Sequence, residues 1–440
     1  MGATRYERIL ARPLQGGDLA IRFSAASRAA RAAVRAVTEH EAAIRDVAAG
    51  VAAPALAGYA AWVLREARSR GVQRLRFLSR DGQVLHELAR RIAPRLGIDL
   101  DLEYAYSSRL TWSLAATDPG RLDQAAWLFN SFVKSNAADV CARLGLPADD
   151  FAPALRAAGA SLDPDCRADD AGQAAALRRF LSTAEVARTA ARRISDTRHL
   201  VVDYAAQHRL ADPGTALVDA GWTGRMAGAL VRVCEQAGMP RPHILFWGHE
   251  PRADGWTDPR RVAAYMYNTA TSLGTHWRVP DAPFAVETFC MGDHGIVTSY
   301  RRTADSRVDP VLAAPDNPPA RAWGLPLYRD TLYAFCSALT TAGPIPDDDI
   351  RPAIWQVMDA FWAHPTAAEA RAWGSYPYDS DPAGTAVRPL ARPLTIETGQ
   401  CHRGDRAWIA GSLALSTEPA RTTFLRHAPR ADLLGSPATD

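Results

Sequence analysis

The spacing of apolar positions changes period several times along the chain, and each change marks an element. Residues 24–50 carry alanine and arginine at helical spacing, which predicts one helix. After Pro54, the residues Leu56, Tyr59, Trp62, Val63 and Leu64 give a broad apolar face to a second helix. Gly71 ends it, with Arg68 and Arg70 in the last turn where cations meet the helix dipole favourably. Leu75-Arg-Phe-Leu78 reads as a short strand, Ser79-Arg-Asp-Gly82 as a turn and residues 84–92 as a helix. Pro94 to Gly97 closes that helix, and residues 100–106 are the next strand. Strand, loop, helix and strand in that order form the unit from which parallel sheets are built.

Residues 110–198 break this rhythm. Helical patterns at 122–133, 137–144 and 173–194 are separated by turns such as Asp163-Pro-Asp165, and together they read as a helical insertion. Strand character returns at Ala216-Leu-Val218, followed by the turn 219–224, a helix over 225–237 and a strand over 244–247. That is a second strand–loop–helix–strand unit. Beyond about residue 300 the chain is rich in Pro and Trp, with helices near 327–341 and 350–362, and the last twenty residues are expected to fray. The expected architecture is α/β: an N-terminal helical segment 1–50, a parallel-sheet core 51–300 containing the insertion, and a mainly helical region 301–440.

Composition narrows the chemistry. With 48% hydrophobic and 22% charged residues the chain has the make-up of a folded protein, and a net charge of +3 gives no support to nucleic-acid binding. Lys134 is the sole lysine among 51 basic residues. A Walker A loop is therefore excluded, and any bound phosphate must be held by arginine, backbone N–H groups or a metal. Six widely spaced cysteines without a Cys-x-x-Cys pair fit reduced thiols. The first residues lack the order of a signal peptide, and no stretch approaches eighteen uninterrupted apolar residues. A cytoplasmic protein without a membrane span is expected. No zincin, hydrolase-elbow or dinucleotide-binding motif is present.

In parallel sheets ligands bind beyond the carboxyl ends of the strands, where both singled-out loops lie. In the first, Ser79, Arg80, Asp81 and Gly82 follow directly on an apolar strand. Arg80 is a bidentate anion clamp, and Asp81 suits a metal or a sugar hydroxyl. In the second, Asp219 is followed by small residues, and Thr223, Gly224 and Arg225 open a helix whose N–H groups suit a phosphate monoester. Plainer roles fit the same residues: an Asp-Gly turn with a surface ion pair, a Thr223 helix cap, and Trp222 as core. Arg109, after Tyr106-Ser-Ser, ends a strand of the same sheet, and Glu287 and His294 flank a turn containing Asp293. His249-Glu250 also follows a strand.

The phrase Leu217-Val-Asp-Ala-Gly-Trp-Thr-Gly224 resembles the fingerprint of type I phosphoribosyltransferases: an apolar strand, two acids, three variable residues, Thr-Gly and a helix. Val218 stands where that fingerprint has its first acid, so gripping of the ribose by two carboxylates is put in doubt. A wider resemblance runs through Phe77-Leu-Ser-Arg-Asp-Gly82, Tyr106-Ser-Ser-Arg109, Val218-Asp-Ala-Gly-Trp-Thr-Gly224 and Met291-Gly-Asp-His-Gly295. These are similar to a bacterial family often labelled haloacid-dehalogenase-like and found with polysaccharide and aminoglycoside assembly genes, including the ribosylating enzymes of ribostamycin-type pathways. The Asp-x-Asp nucleophile motif behind that label is absent, since Asp219-Ala-Gly221 lacks the second aspartate.

The resemblance implies a type I phosphoribosyltransferase-like core and transfer of 5-phosphoribosyl from phosphoribosyl pyrophosphate to a small polar acceptor, such as a neamine-like aminoglycoside. Gly221, Trp222, Thr223, Gly224 and Arg225 would then bind the 5-phosphate end and Asp219 the ribose. Ser79, Arg80, Gly82 and Arg109 would bind pyrophosphate, with Mg²⁺ on Asp81 and Asp219. Asp81, Glu287 and His294 are the candidate bases for an acceptor hydroxyl. The alternatives are a sugar-phosphate phosphatase or glycosyltransferase, and a ligand-binding relative without catalysis.

Overall fold

The computed structural model describes residues 2–12, 17–129, 135–251, 258–274, 282–379, 387–394 and 407–427. Its centre is a five-stranded sheet of β1 (Arg74–Leu78), β2 (Asp101–Ala105), β3 (Thr215–Trp222), β4 (His243–His249) and β5 (Val262–Asn268). All neighbours pair in parallel, in the order β2-β1-β3-β4-β5. The chain steps outward from β1 to β2, then returns to the other side of β1 and continues to β5. The order therefore reverses between β1 and β3, where the loops leaving the two strands part and open a crevice.

Both faces of this sheet are covered, so β3 and β4 read as largely apolar runs, while β1 is interrupted by Arg76. Ala216, Val218 and Ala220 of β3 and Leu245 and Trp247 of β4 share one apolar cluster with helices Ala53–Ser69, Gly82–Ile92, Leu325–Thr341 and Arg351–Trp362. On the opposite face, Leu78 and Leu217 pack with helices Arg109–Ala116, Ala184–Gln207 and Arg225–Gln236. The hairpin of β6 (Val297–Arg302) and β7 (Val308–Leu312) packs there too, through Tyr300 and Val308. The segment between β2 and β3 has its own apolar cluster around Leu128, Val140, Leu155 and Phe180. The first fifty residues join the main cluster, with Phe23 set edge-on to Phe335 at 5.3 Å.

Several boundaries differ from the sequence reading. Residues 24–50 are not one helix: Gly17–Ala33 ends, and Glu39–Val47 begins anew. Thr38 accepts the Glu41 N–H at 3.1 Å while Glu41 accepts the Thr38 N–H, a capping box that restarts the helix. The span 173–194 is likewise two helices, Ala171–Leu181 and Ala184–Gln207, and 122–133 holds short 3₁₀ turns as far as Leu128. Residues 130–134, with Lys134, lie outside the described residues. The region after 300 is not purely helical, since it holds β7 and the short pair β8 (Pro377–Asp379) and β9 (Val387–Pro389). Much of the stretch expected to fray, 428–440, is outside the described residues, whereas 421–427 belong to the helix Glu418–His427. Among the described residues, one helical run, Glu39–Ser69, has the length and hydropathy to cross a membrane, but its apolar window is 94% buried within the fold.

Candidate functional site

At the carboxyl end of β1, Ser79 is buried and its hydroxyl donates to the Ser107 carbonyl at 3.0 Å. Ser107 answers with its N–H to Ser79 Oγ at 2.7 Å and its hydroxyl to the Ser79 carbonyl at 3.1 Å. These reciprocal bonds stitch the loop after β1 to the loop after β2, so Ser79 serves as a pin. Ser108 then caps the helix Arg109–Ala116 by accepting the Thr111 N–H at 3.1 Å, which brings Arg109 to the same end of the sheet. Gly82 opens the next helix so close to β1 that a Cβ there would stand 2.4 Å from the Phe77 carbonyl carbon. The Ser79–Arg80 peptide bond is cis.

The second loop departs from the expected turn. β3 does not stop at Asp219 but pairs on with β4 through Gly221 opposite Gly248 and Trp222 opposite His249. Glu250 N–H donates to the Trp222 carbonyl at 2.8 Å, extending the contact past the strands. Gly221 has φ +107°, and Trp222 follows at φ +63°, a region that bulky residues rarely occupy. Gly224, also left-handed, leads into the helix Arg225–Gln236, at whose start Thr223 and Arg225 stand. Below the strands, Tyr59 Oη lies 2.9 Å from the Asp219 carbonyl and 2.8 Å from the Leu245 carbonyl, tying the supporting helix to both strands.

A third piece comes from the helix Ala282–Phe289 and the chain after it. Glu287 Oε1 accepts the Trp222 indole N–H at 3.1 Å, and Tyr378 Oη lies 3.4 Å from Glu287 Oε2. Residues 291–295 dock on the first loop. Gln83 donates to Asp293 at 2.6 Å and accepts the Asp293 N–H at 3.0 Å, while Arg329 pairs with Asp293 at 2.7 Å. Gly292 lies so near Arg80 that a Cβ would be 3.2 Å from the Arg80 Cβ. His294 is buried, donating from Nδ1 to the Gly295 carbonyl at 2.7 Å and accepting the Tyr104 hydroxyl at Nε2 at 2.8 Å. Burial holds its pKa below the ordinary value, so it is a neutral imidazole with both nitrogens engaged. That position suits holding the loop better than taking a proton.

Asp81, Asp219 and Glu287 thus form one electrostatic cluster. Burial raises Asp81 well above the usual carboxylate range, and the charges of Glu287 and Asp219 add to it, while Arg80 and Arg109 oppose. Burial pushes Asp219 up to about 7 against the pull of Arg109 and the Ala220 N–H, with Glu287 adding to the rise. Glu287 is raised by burial and drawn down by Arg109, by its Trp222 and Tyr378 hydrogen bonds and by Arg80. Cys290, buried behind them, is pushed far above its ordinary value by burial and by all three carboxyls. Three carboxyls facing two guanidinium groups have excess negative charge, which a shared proton or an incoming cation relieves.

Of the sequence candidates, the fold brings Arg80, Asp81, Arg109, Asp219, Trp222 and Glu287 together. Gln83, Tyr104, Arg329 and Tyr378 are not among the sequence candidates, and Tyr59 is legible there only as part of an apolar helix face. Gln83 alone had a signal, its place beside the first loop; the others converge from helices and strands far apart in the chain. His249 is buried at the end of β4, where burial lowers its pKa to about 4, although Asn268 opposes this. Among the described residues, no group of three or more His, Cys, Asp or Glu side chains is arranged to hold a metal ion by itself. The crowding of the Asp81 and Asp219 carboxyls nevertheless suits a divalent cation that arrives with its own oxygen ligands. No protein-family model matches the chain, and no curated protein matches it significantly.

Proposed function

We propose that the protein transfers a 5-phosphoribosyl group from phosphoribosyl pyrophosphate to a hydroxyl of a small polar acceptor, an aminoglycoside of the neamine kind being the model acceptor. The observation that carries the reading is the reversal of strand order between β1 and β3, which sets the Arg80–Asp81 loop beside the Asp219–Arg225 loop. In this reading Thr223, Gly224 and Arg225 hold the 5-phosphate at a helix N-terminus, and Asp219 binds the ribose hydroxyls. Arg80 and Arg109 take the departing pyrophosphate, whose growing charge must be neutralised as the bond to the anomeric carbon breaks. Asp81 and Asp219 would hold Mg²⁺ carried in by the donor, which supplies charge neutralisation of the pyrophosphate. Glu287 accepts the acceptor's hydroxyl proton as the new bond forms.

Calorimetric titration with phosphoribosyl pyrophosphate tests the donor half of this reading. Mg²⁺-dependent binding that is tighter than that of ribose 5-phosphate is the expected result. Equal affinity for the two ligands, with or without Mg²⁺, would remove the pyrophosphate site from the account.

A further inference from the structure

Glu287 is the carboxyl of the cluster that has a side-chain donor on each of its oxygens. Glu287 meets repulsion from Asp81 and Asp219, which left alone would swing a flexible side chain away from them. Two donors from separate parts of the chain hold it in place. Trp222 lies at the far end of β3 and Tyr378 on β8, and they reach different oxygens of Glu287 on the helix Ala282–Phe289.

Each donor is itself fixed. Trp222 has left-handed backbone, follows a glycine packed on the β4 backbone, and stacks its indole on the Tyr267 ring at 6.4 Å. Tyr378 sets its ring edge-on to Phe284, one helical turn before Glu287, at 5.8 Å. A carboxylate accepts up to about four hydrogen bonds. With one donor on each oxygen, Glu287 keeps lone pairs open toward the cluster and loses its freedom to rotate.

We propose that Trp222 and Tyr378 are positioning residues that jointly aim Glu287 at the acceptor hydroxyl, so that part of the C-terminal region belongs to the active site. This rests on the transferase reading given above. The left-handed Trp222 backbone is then part of the proton-transfer geometry: the indole N–H meets Glu287 while the ring packs against Tyr267.

The test is a set of cycles with Trp222→Phe, Tyr378→Phe and Glu287→Gln, measured with phosphoribosyl pyrophosphate, neamine and Mg²⁺. Trp222→Phe should lower kcat about tenfold or more and leave the donor KM within about twofold, since a transition-state contact is lost and ground-state binding is not. In the Glu287→Gln background the same change should add less than about threefold, because its effect passes through that carboxylate. Equal losses in both backgrounds overturn the proposal. If the wild type turns over no donor, the transferase reading fails, and the positioning role is judged by thermal unfolding of the same variants at pH 8. Coupled shifts in Tm for Trp222→Phe and Glu287→Gln support it, and additive shifts overturn it.

Discussion

Gly221 and Gly248 meet across β3 and β4 so closely that a Cβ on Gly221 would stand 2.2 Å from the Gly248 carbonyl oxygen. The contact lets β3 run past Asp219 and carry Trp222 to Glu287. Because the obstacle is backbone, it cannot be relieved by a rotamer change. Gly221→Ala, with φ +107° also to accommodate, should destabilise the protein by about 2–4 kcal/mol and abolish activity. Gly71→Ala is the control: φ +68° with nothing within 4 Å, it should lose about 1 kcal/mol, read by urea unfolding.

Asp219 gives the protein a pH dependence of defined sign. Its folded pKa is raised to about 7 from an ordinary 3.8. The stability it contributes is complete below about pH 4 and is lost as pH rises through 7. Asp219→Asn cannot ionise, so its Tm should exceed that of the wild type at pH 8 and the gap should close as pH falls toward 4. The shift corresponds to at most about 4 kcal/mol, at about 1.4 kcal/mol per pH unit. A variant less stable than wild type at pH 8 would mean that ionised Asp219 is held by favourable partners.

Arg80→Ala should weaken binding of the pyrophosphate donor about ten- to hundredfold and leave acceptor binding within about twofold. With lysine absent from both loops, no ammonium group can take over the charge. Calorimetry on each ligand separately makes the comparison.

Arg329 anchors the segment that leans on Arg80, through Asp293 at 2.7 Å and the Met291 carbonyl at 3.2 Å. Arg329→Met should destabilise by about 1–2 kcal/mol, a modest figure because Asp293 is partly exposed. It should also raise the donor KM, since the 291–295 segment loses its hold on the first loop. An unchanged KM with the same loss of stability would confine Arg329 to structure.

The two strand–loop–helix units were legible because apolar periodicity and turn residues agree there: β1, β3 and β4 fall on the runs at 75–78, 216–218 and 244–247. The order β2-β1-β3-β4-β5 was not, since it depends on which strand edges pair after a long insertion. By sequence Asp219 ends a strand, because Gly221 looks like a turn residue. In the fold that glycine instead permits a close strand contact. The break before Thr38 carried a visible signal, Thr38-x-x-Glu41, that alanine-rich helical spacing on both sides obscured. Arg76 lies on an apolar strand yet is buried, paired with Asp101 at 2.7 Å and Glu103 at 3.2 Å from β2, a pairing known only once the strands are adjacent. Glu287 and His294 were equivalent by sequence; the hydrogen bonds of His294 to Tyr104 and Gly295 separate them.

Transfer of radiolabel is the most direct measurement. Purified protein is incubated with ribose-labelled phosphoribosyl pyrophosphate, neamine and Mg²⁺, and label in the acceptor is followed for the wild type and Asp219→Asn. The account predicts Mg²⁺-dependent label in neamine, lost by at least about a hundredfold in Asp219→Asn, a change of about 2.7 kcal/mol in barrier, while the variant stays folded. Asp219→Asn activity within about threefold of wild type, or inorganic phosphate released from sugar phosphates with no label in any acceptor, would contradict it.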